Sequence, residues 1–206
     1  MRRVAIVDYG MGNLRSVEKA FEHVGVEADL TNDHERIRAA DGVVLPGVGA
    51  FPKAMERIRE LGLDEVIRER VEEGVPTLGI CLGLQLLFES STELGGAEGL
   101  GLVPGAVDRL AAPGLKLPQI GWNEVAWRRE SPLVEGLPER SAMYHVHTFA
   151  PRPRDPGDVL GVATYGEEFV TAIDRAPVYG VQFHPEKSGP AGLRLLAAFA
   201  RSRVAA

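Results

Sequence analysis

The only cysteine of the chain, Cys81, stands between Gly79 and Gly83 in the stretch "GICLGLQ". Gly-x-Cys-x-Gly is the pattern of a nucleophile elbow with cysteine in place of serine. The apolar run "VPTLGI" before it reads as a strand and the leucine-rich run through Phe88 as a buried helix, which is the context an elbow requires. A thiol on that turn would meet the unpaired N–H groups of a helix start, a setting that favours thiolate chemistry. The other reading is a small apolar residue in a core, and the elbow alone leaves both open.

A cysteine nucleophile needs a base, and "VYGVQFHPE" supplies His184 and Glu186 just beyond an apolar run. In extended chain residues i and i+2 point to the same side, and Pro185 keeps His184 out of helical geometry. Glu186 could therefore hold one ring nitrogen of His184 while the other faces the thiol. Acyl transfer also needs donors for an oxyanion. "LPGVGAF" offers the backbone N–H groups of Gly47, Val48 and Gly49 on a flexible turn, and the elbow adds that of Leu82, the residue after the nucleophile. The histidine precedes the acid, the reverse of an α/β-hydrolase. Neither G-x-G-x-x-G nor GK[ST] occurs, so a dinucleotide or phosphate role has little support.

Elements must bring these parts together. Arg3 to Asp8 reads as a strand, followed by a helix with Leu14, Val17, Phe21 and Val24 on one face behind an Asn13 cap. A weaker strand near 26–30, a polar helical stretch to Ala40 and the buried run "GVVLPG" come next. Two helices follow, one with Phe51, Met55, Ile58 and Leu61, the other with Leu63, Val66, Ile67 and Val71, ending at Gly74. The second half reads as short strands, "LVPGAVDRL", "WNEVAW", "AMYHVHTFA", "DVLGVATYG", "FVTAID" and "VYGVQF", closed by a helix over "AGLRLLAAFARSRV". "APRPRDPGD" reads as a loop or hairpin crown. A single domain over 1–206 is expected: an α/β fold with an open, mostly parallel sheet flanked by helices and an added antiparallel section.

Composition narrows the class. At 206 residues with 45% hydrophobic and 25% charged residues, the chain is an ordinary globular protein. A net charge of −6 argues against bulk electrostatic binding to nucleic acid or an anionic membrane. "MRRVAIVDYG" lacks the apolar core of a secretion signal, no run approaches a membrane span, and one cysteine cannot form an internal disulfide, so the cytoplasm is the expected compartment. Arginine outnumbers lysine 19 to four, and only three asparagines and three glutamines occur, so amides or lysines inside motifs carry weight.

"GICLGLQ" together with "FHPE" resembles the class I glutamine amidotransferases, which carry a Cys-His-Glu triad and a flavodoxin-like fold. The resemblance implies glutamine as ammonia donor, Cys81, His184 and Glu186 as the triad, and Gln85 and Glu93 as residues that help hold the glutamine. No metal and no cofactor are implied. "VDYGMGNL", "LPGVGAF", "KLPQIGWN" and "FHPEKS" are similar to the glutaminase-subunit family of imidazole glycerol phosphate synthase. That similarity implies a (β/α)8 cyclase subunit as partner, which takes the ammonia to make imidazole glycerol phosphate and aminoimidazole carboxamide ribotide in histidine biosynthesis. Twenty residues follow Glu186, so the acceptor site is expected on that other chain. Asn13, Lys116, Gln119, Trp122, Asn123 and Lys187 are expected on the docking face. "YHVHTFA" departs from the family's Tyr-Phe-Val-His-Ser-Tyr form at His145, Thr148 and Phe149. The glutaminases of anthranilate synthase or pyridoxal phosphate synthesis fit "KLPQIGWN" less well, and a stand-alone cysteine hydrolase would need no partner.

Overall fold

A computed structural model describes residues 3–202, so Arg203 and Val204 of the expected closing helix lie outside the described residues. The first half alternates strand and helix: β1 (Arg3–Val7), α1 (Leu14–His23), β2 (Glu27–Thr31), α2 (His34–Arg38), β3 (Gly42–Gly47), α3 (Phe51–Glu60), α4 (Leu63–Glu72), β4 (Thr77–Cys81) and α5 (Leu82–Leu86). Local chemistry sets several ends. Asp33 accepts a hydrogen bond from the Arg36 N–H at 3.0 Å and so starts α2. Pro52 sits in the first turn of α3, where its missing N–H costs nothing. Asn13 precedes α1, but its side chain takes the Ser16 hydroxyl rather than a backbone N–H.

The second half is mostly strand: β5 (Phe88–Ser91), β6 (Ala97–Glu98), β7 (Val103–Arg109), β8 (Gln119–Trp127), β9 (Arg140–His147), β10 (Phe149–Pro153), β11 (Val159–Tyr165), β12 (Glu167–Arg175) and β13 (Val178–Val181), then α6 (Gly189–Arg201). Three expectations differ here. The helix after Cys81 stops at Leu86, and Phe88 opens a strand instead of lying on its face. "AMYHVHTFA" is two strands, not one, divided at Thr148. Part of "APRPRDPGD" belongs to β10, paired with β7, because its prolines occupy positions on an outer strand.

The nine-stranded sheet has the order β2-β1-β3-β4-β13-β12-β11-β8-β9. Pairing from β2 through β13 is parallel and from β13 to β9 antiparallel. A smaller sheet, β10-β7-β5-β6, packs on one face. Alternation along the strands divides the core in two. Val4, Ile6 and Val44 join Phe21 of α1 and Leu195 and Phe199 of α6. Ala5, Val7, Val43 and Leu45 join Met55, Ile58 and Val66 of α3 and α4 with Phe88 and Val103 of the small sheet. Each fully buried aromatic or aliphatic side chain contributes about 1.5–3 kcal/mol, so the two layers hold the parallel strands in fixed register. That register brings Gly47 opposite Cys81 and Val181 opposite Ile80. The carboxyl ends of β3, β4 and β13 therefore share one edge, where ligands of open α/β sheets bind.

Candidate active site

Cys81 ends β4 with φ 55° and ψ −111°, a left-handed backbone that a residue with a side chain adopts at a cost of about 1–3 kcal/mol. The surroundings impose it. A Cβ on Gly83 would lie 1.7 Å from the Leu45 carbonyl oxygen, and one on Gly79 would lie 2.6 Å from the Leu84 nitrogen. Without side chains at 79 and 83, the strand, the turn and α5 close on one another and the thiol is thrust beyond the sheet edge. Cys81 is only 6% exposed, and its sulfur lies 3.7 Å from both the Val146 carbonyl oxygen and Gln182 Nε2.

His184 follows β13 and faces the same point. Its Nδ1 is 2.9 Å from Glu186 Oε1, and both side chains are almost wholly buried. The sequence suggests an extended i, i+2 pair, but the path differs: His184 is extended, and a 3-10 turn over Pro185–Lys187 folds Glu186 back to it. Burial opposes the imidazolium, yet hydrogen bonding and charge coupling to Cys81 and Glu186 outweigh it and raise the His184 pKa to about 10. The direction of the shift suits His184 to carry a proton beside the sulfur.

The pair opens on a cavity of about 270 Å³, close to the lower end for small-molecule sites. Val48, Gly49, Leu82, Gln85 and Glu93 line it with Cys81, and the exposed Lys187 borders it too. Gly47 stands behind, as the register partner of Cys81. Glu93 Oε2 accepts the Phe51 N–H at 2.7 Å, so it holds the start of α3 as well as facing the cavity. Gln85 Nε2 donates to the Phe149 carbonyl and to Gln182 Oε1, both at 3.0 Å, which leaves its own oxygen for a ligand.

The residues expected on a docking face divide. Trp122 is 59% exposed on β8, stacks edge-on against Tyr144, and Lys187 Nζ lies 6.0 Å from the Tyr144 ring. Asn13 and Lys116 are exposed as well. Gln119, however, is buried at 3%, because β8 turns alternate residues to opposite sides and Gln119 falls opposite His147 rather than beside Trp122. Asn123 shares that inner parity and donates to the Thr164 carbonyl.

Three contributors escaped the sequence reading as site residues. Tyr9 donates its hydroxyl to the Pro46 carbonyl at 2.8 Å, anchoring the turn that leads to Val48; burial, with the charge of Cys81, keeps it neutral. His147 donates Nδ1–H to the Phe149 carbonyl and lines the cavity, with Nε2 unpartnered among the described residues. Burial first, then the nearby histidines, lowers His145 to about 3; burial and His184 lower His147 to about 4, so both rings are neutral. Gln182 reaches the sulfur itself. Its membership among the three glutamines was the one signal in the sequence.

A strained cysteine, a buried His-Glu pair and a small cavity lined by Val48, Gly49 and Leu82 suit acyl transfer through a thioester. The family described as "Glutamine amidotransferase class-I" matches residues 5–202. The imidazole glycerol phosphate synthase subunit HisH of Moorella thermoacetica is 51% identical over 97% of this chain and 94% of its own length. That of Aquifex aeolicus is 50% identical over 97% and 96%. Among solved structures, a glutamine amidotransferase superposes with a TM-score of 0.74 at 24% identity, covering 96% of this chain and 99% of its own. PurLQS from Thermotoga maritima gives 0.71 at 20% identity, covering 97% and 98%. These last two likenesses bear on the fold, whereas the family match and the sequence relatives carry the assignment: the chain belongs to the class I glutamine amidotransferases and, within them, to the HisH family.

Proposed function

We propose that the chain hydrolyses glutamine to glutamate and ammonia and passes the ammonia to a (β/α)8 cyclase subunit, as the glutaminase of an imidazole glycerol phosphate synthase. The observation that carries this is the strained Cys81 beside the buried, hydrogen-bonded His184–Glu186 pair, with Cys81 and His184 lining a cavity sized for one amino acid. Cys81 Sγ attacks the side-chain carbonyl carbon of glutamine, and the oxygen gains charge. N–H groups of the 47–49 turn and of Leu82 receive that charge. The C–N bond breaks as His184 gives its proton to the departing nitrogen, releasing ammonia and leaving a thioester. His184, now neutral, takes a proton from water; the hydroxide adds to the thioester, the C–S bond breaks, and glutamate leaves with the thiolate and imidazolium restored. Glu186 holds the ring in place throughout. With both amide hydrogens engaged, Gln85 meets the glutamine as an acceptor, which suits its α-ammonium group.

The exposed Trp122, Ile120 and Val48 with the Lys187 cation form an apolar and basic surface beside the cavity mouth, a fit for a partner that takes the ammonia before water does. No described helix is long and apolar enough to cross a membrane. Chemistry that depends on a free thiol suits a reducing compartment, the cytoplasm. Glutamine hydrolysis, measured alone and then with a candidate cyclase and its nucleotide ligand, tests the reading. Strong stimulation by the partner and its loss in Cys81→Ala are expected; full activity without a partner would favour a stand-alone hydrolase.

A further inference from the structure

Two buried amides link the cavity wall to the nucleophile, and their polarity is fixed from one end. The Phe149 carbonyl can only accept a hydrogen bond, so the group 3.0 Å away must be the Gln85 nitrogen. The same nitrogen lies 3.0 Å from the Gln182 amide, which must therefore present its oxygen there. Gln182 is then obliged to turn its own N–H toward Cys81 Sγ, at 3.7 Å. Gln182 is wholly buried and its backbone N–H is tied to the Thr171 carbonyl at 2.8 Å, so neither water nor a backbone shift offers the amide another partner.

We propose that Gln182 is a catalytic residue that donates a hydrogen bond to the Cys81 sulfur, held in the donating orientation by Gln85 and the Phe149 carbonyl. The surroundings of the sulfur give this donor a task. The Val146 carbonyl oxygen, also at 3.7 Å, repels a negative sulfur and can serve only a thiol. His184 interacts with the sulfur too, but it surrenders its proton to the leaving ammonia. At the moment the thioester opens, the C–S bond breaks and its electron pair returns to sulfur. The Gln182 N–H is a side-chain donor whose proton is in transit at neither step.

The inference rests on the reading that Cys81 attacks an amide, and the test separates the two. Alkylation of Cys81 by iodoacetamide at neutral pH needs neither glutamine nor a partner. A hydrogen bond to a charged acceptor corresponds to about tenfold to a hundredfold. Gln182→Leu is therefore expected to slow alkylation by at least about tenfold and to lower kcat in the cyclase complex similarly. Gln182→Glu, which keeps the shape but sets a carboxylate against the sulfur, is expected to do at least as much. Alkylation and kcat within about twofold of the parent in either folded variant would overturn the proposal. Where Gln182→Leu does not fold, Gln182→Glu carries the decision. If the parent chain alkylates rapidly and the variants slowly while no glutamine is hydrolysed with the partner, the donor stands and the glutaminase reading falls.

Discussion

Gly83→Ala isolates the close approach that makes the elbow. Position 83 lies in α5 and has no left-handed backbone, so propensity alone would favour alanine by about 1 kcal/mol. The added Cβ would instead sit 1.7 Å from the Leu45 oxygen and 2.7 Å from its carbonyl carbon, where ordinary contact begins at 3.4 Å. Strand and helix must part by about 1.7 Å, backbone against backbone, so the cost falls at the upper end of the ~1–3 kcal/mol of overpacking. For a chain of this size that corresponds to a Tm lower by about 6–12 °C. The displacement also reaches function, because Leu45 leads directly into Pro46 and the 47–49 turn beside Cys81. A shift of about 1 Å in a positioning element costs roughly a hundredfold in rate. Calorimetry and kcat/KM for glutamine with the cyclase partner measure the two effects. A Tm equal to or above that of the parent, with kcat/KM within about twofold, would refute the reasoning, since propensity would then have won.

Two more expectations follow from the site's charges. His145 and His147 stay neutral when folded, with pKa values of about 3 and 4, but titrate near 6.5 when unfolded. The unfolded chain therefore binds more protons below pH 6.5, and stability falls as pH drops from there toward 4, by about 2 kcal/mol per histidine at pH 5. Urea unfolding of His145→Phe at pH 7.5 and pH 5 should show a smaller acid loss than the parent by about that amount, and equal losses would remove the explanation. Lys187→Ala should lower coupled synthesis with the cyclase by about tenfold, more than it alters the alkylation rate of Cys81, through loss of a cation at the docking rim. Unchanged coupling and affinity would exclude Lys187 from the interface.

Much of the fold was legible because its signals are local. Continuous apolar runs marked β1, β3 and β4, and Gly-x-Cys-x-Gly announced a turn whose geometry depends on two missing side chains. The end of α5 was hidden because Leu84, Leu86, Leu87 and Phe88 are all buried, and an all-apolar stretch has no period to distinguish helix from strand. The change of sheet at Thr148 carries no glycine or proline, so alternation ran through it unbroken. His184 and Glu186 do meet, at 2.9 Å, but through a 3-10 turn rather than the extended chain that their spacing suggested. Gln182 could be marked as unusual, but its partner lies 101 residues away, a relation that only the register of β4 with β13 creates. Gln119 was expected on the docking face, and the parity of β8 buries it opposite His147.

The passage of the chain from β9 to β10 has a consequence for how this segment can change. Tyr144 presents its ring outward, while His145 and His147 fill the interior. What the segment offers to Cys81 and Gln85, however, is the carbonyl oxygens of Val146 and Phe149. Every amino acid supplies a carbonyl, so mutation can rewrite these side chains without erasing the acceptors. Substitution at Thr148 or Phe149 alters a side chain, not the Phe149 oxygen that orients Gln85. The acceptors of this wall therefore survive a change of side chain wherever the path of the backbone is inherited, whereas the buried His145 and His147 are tied by hydrogen bonds of their own.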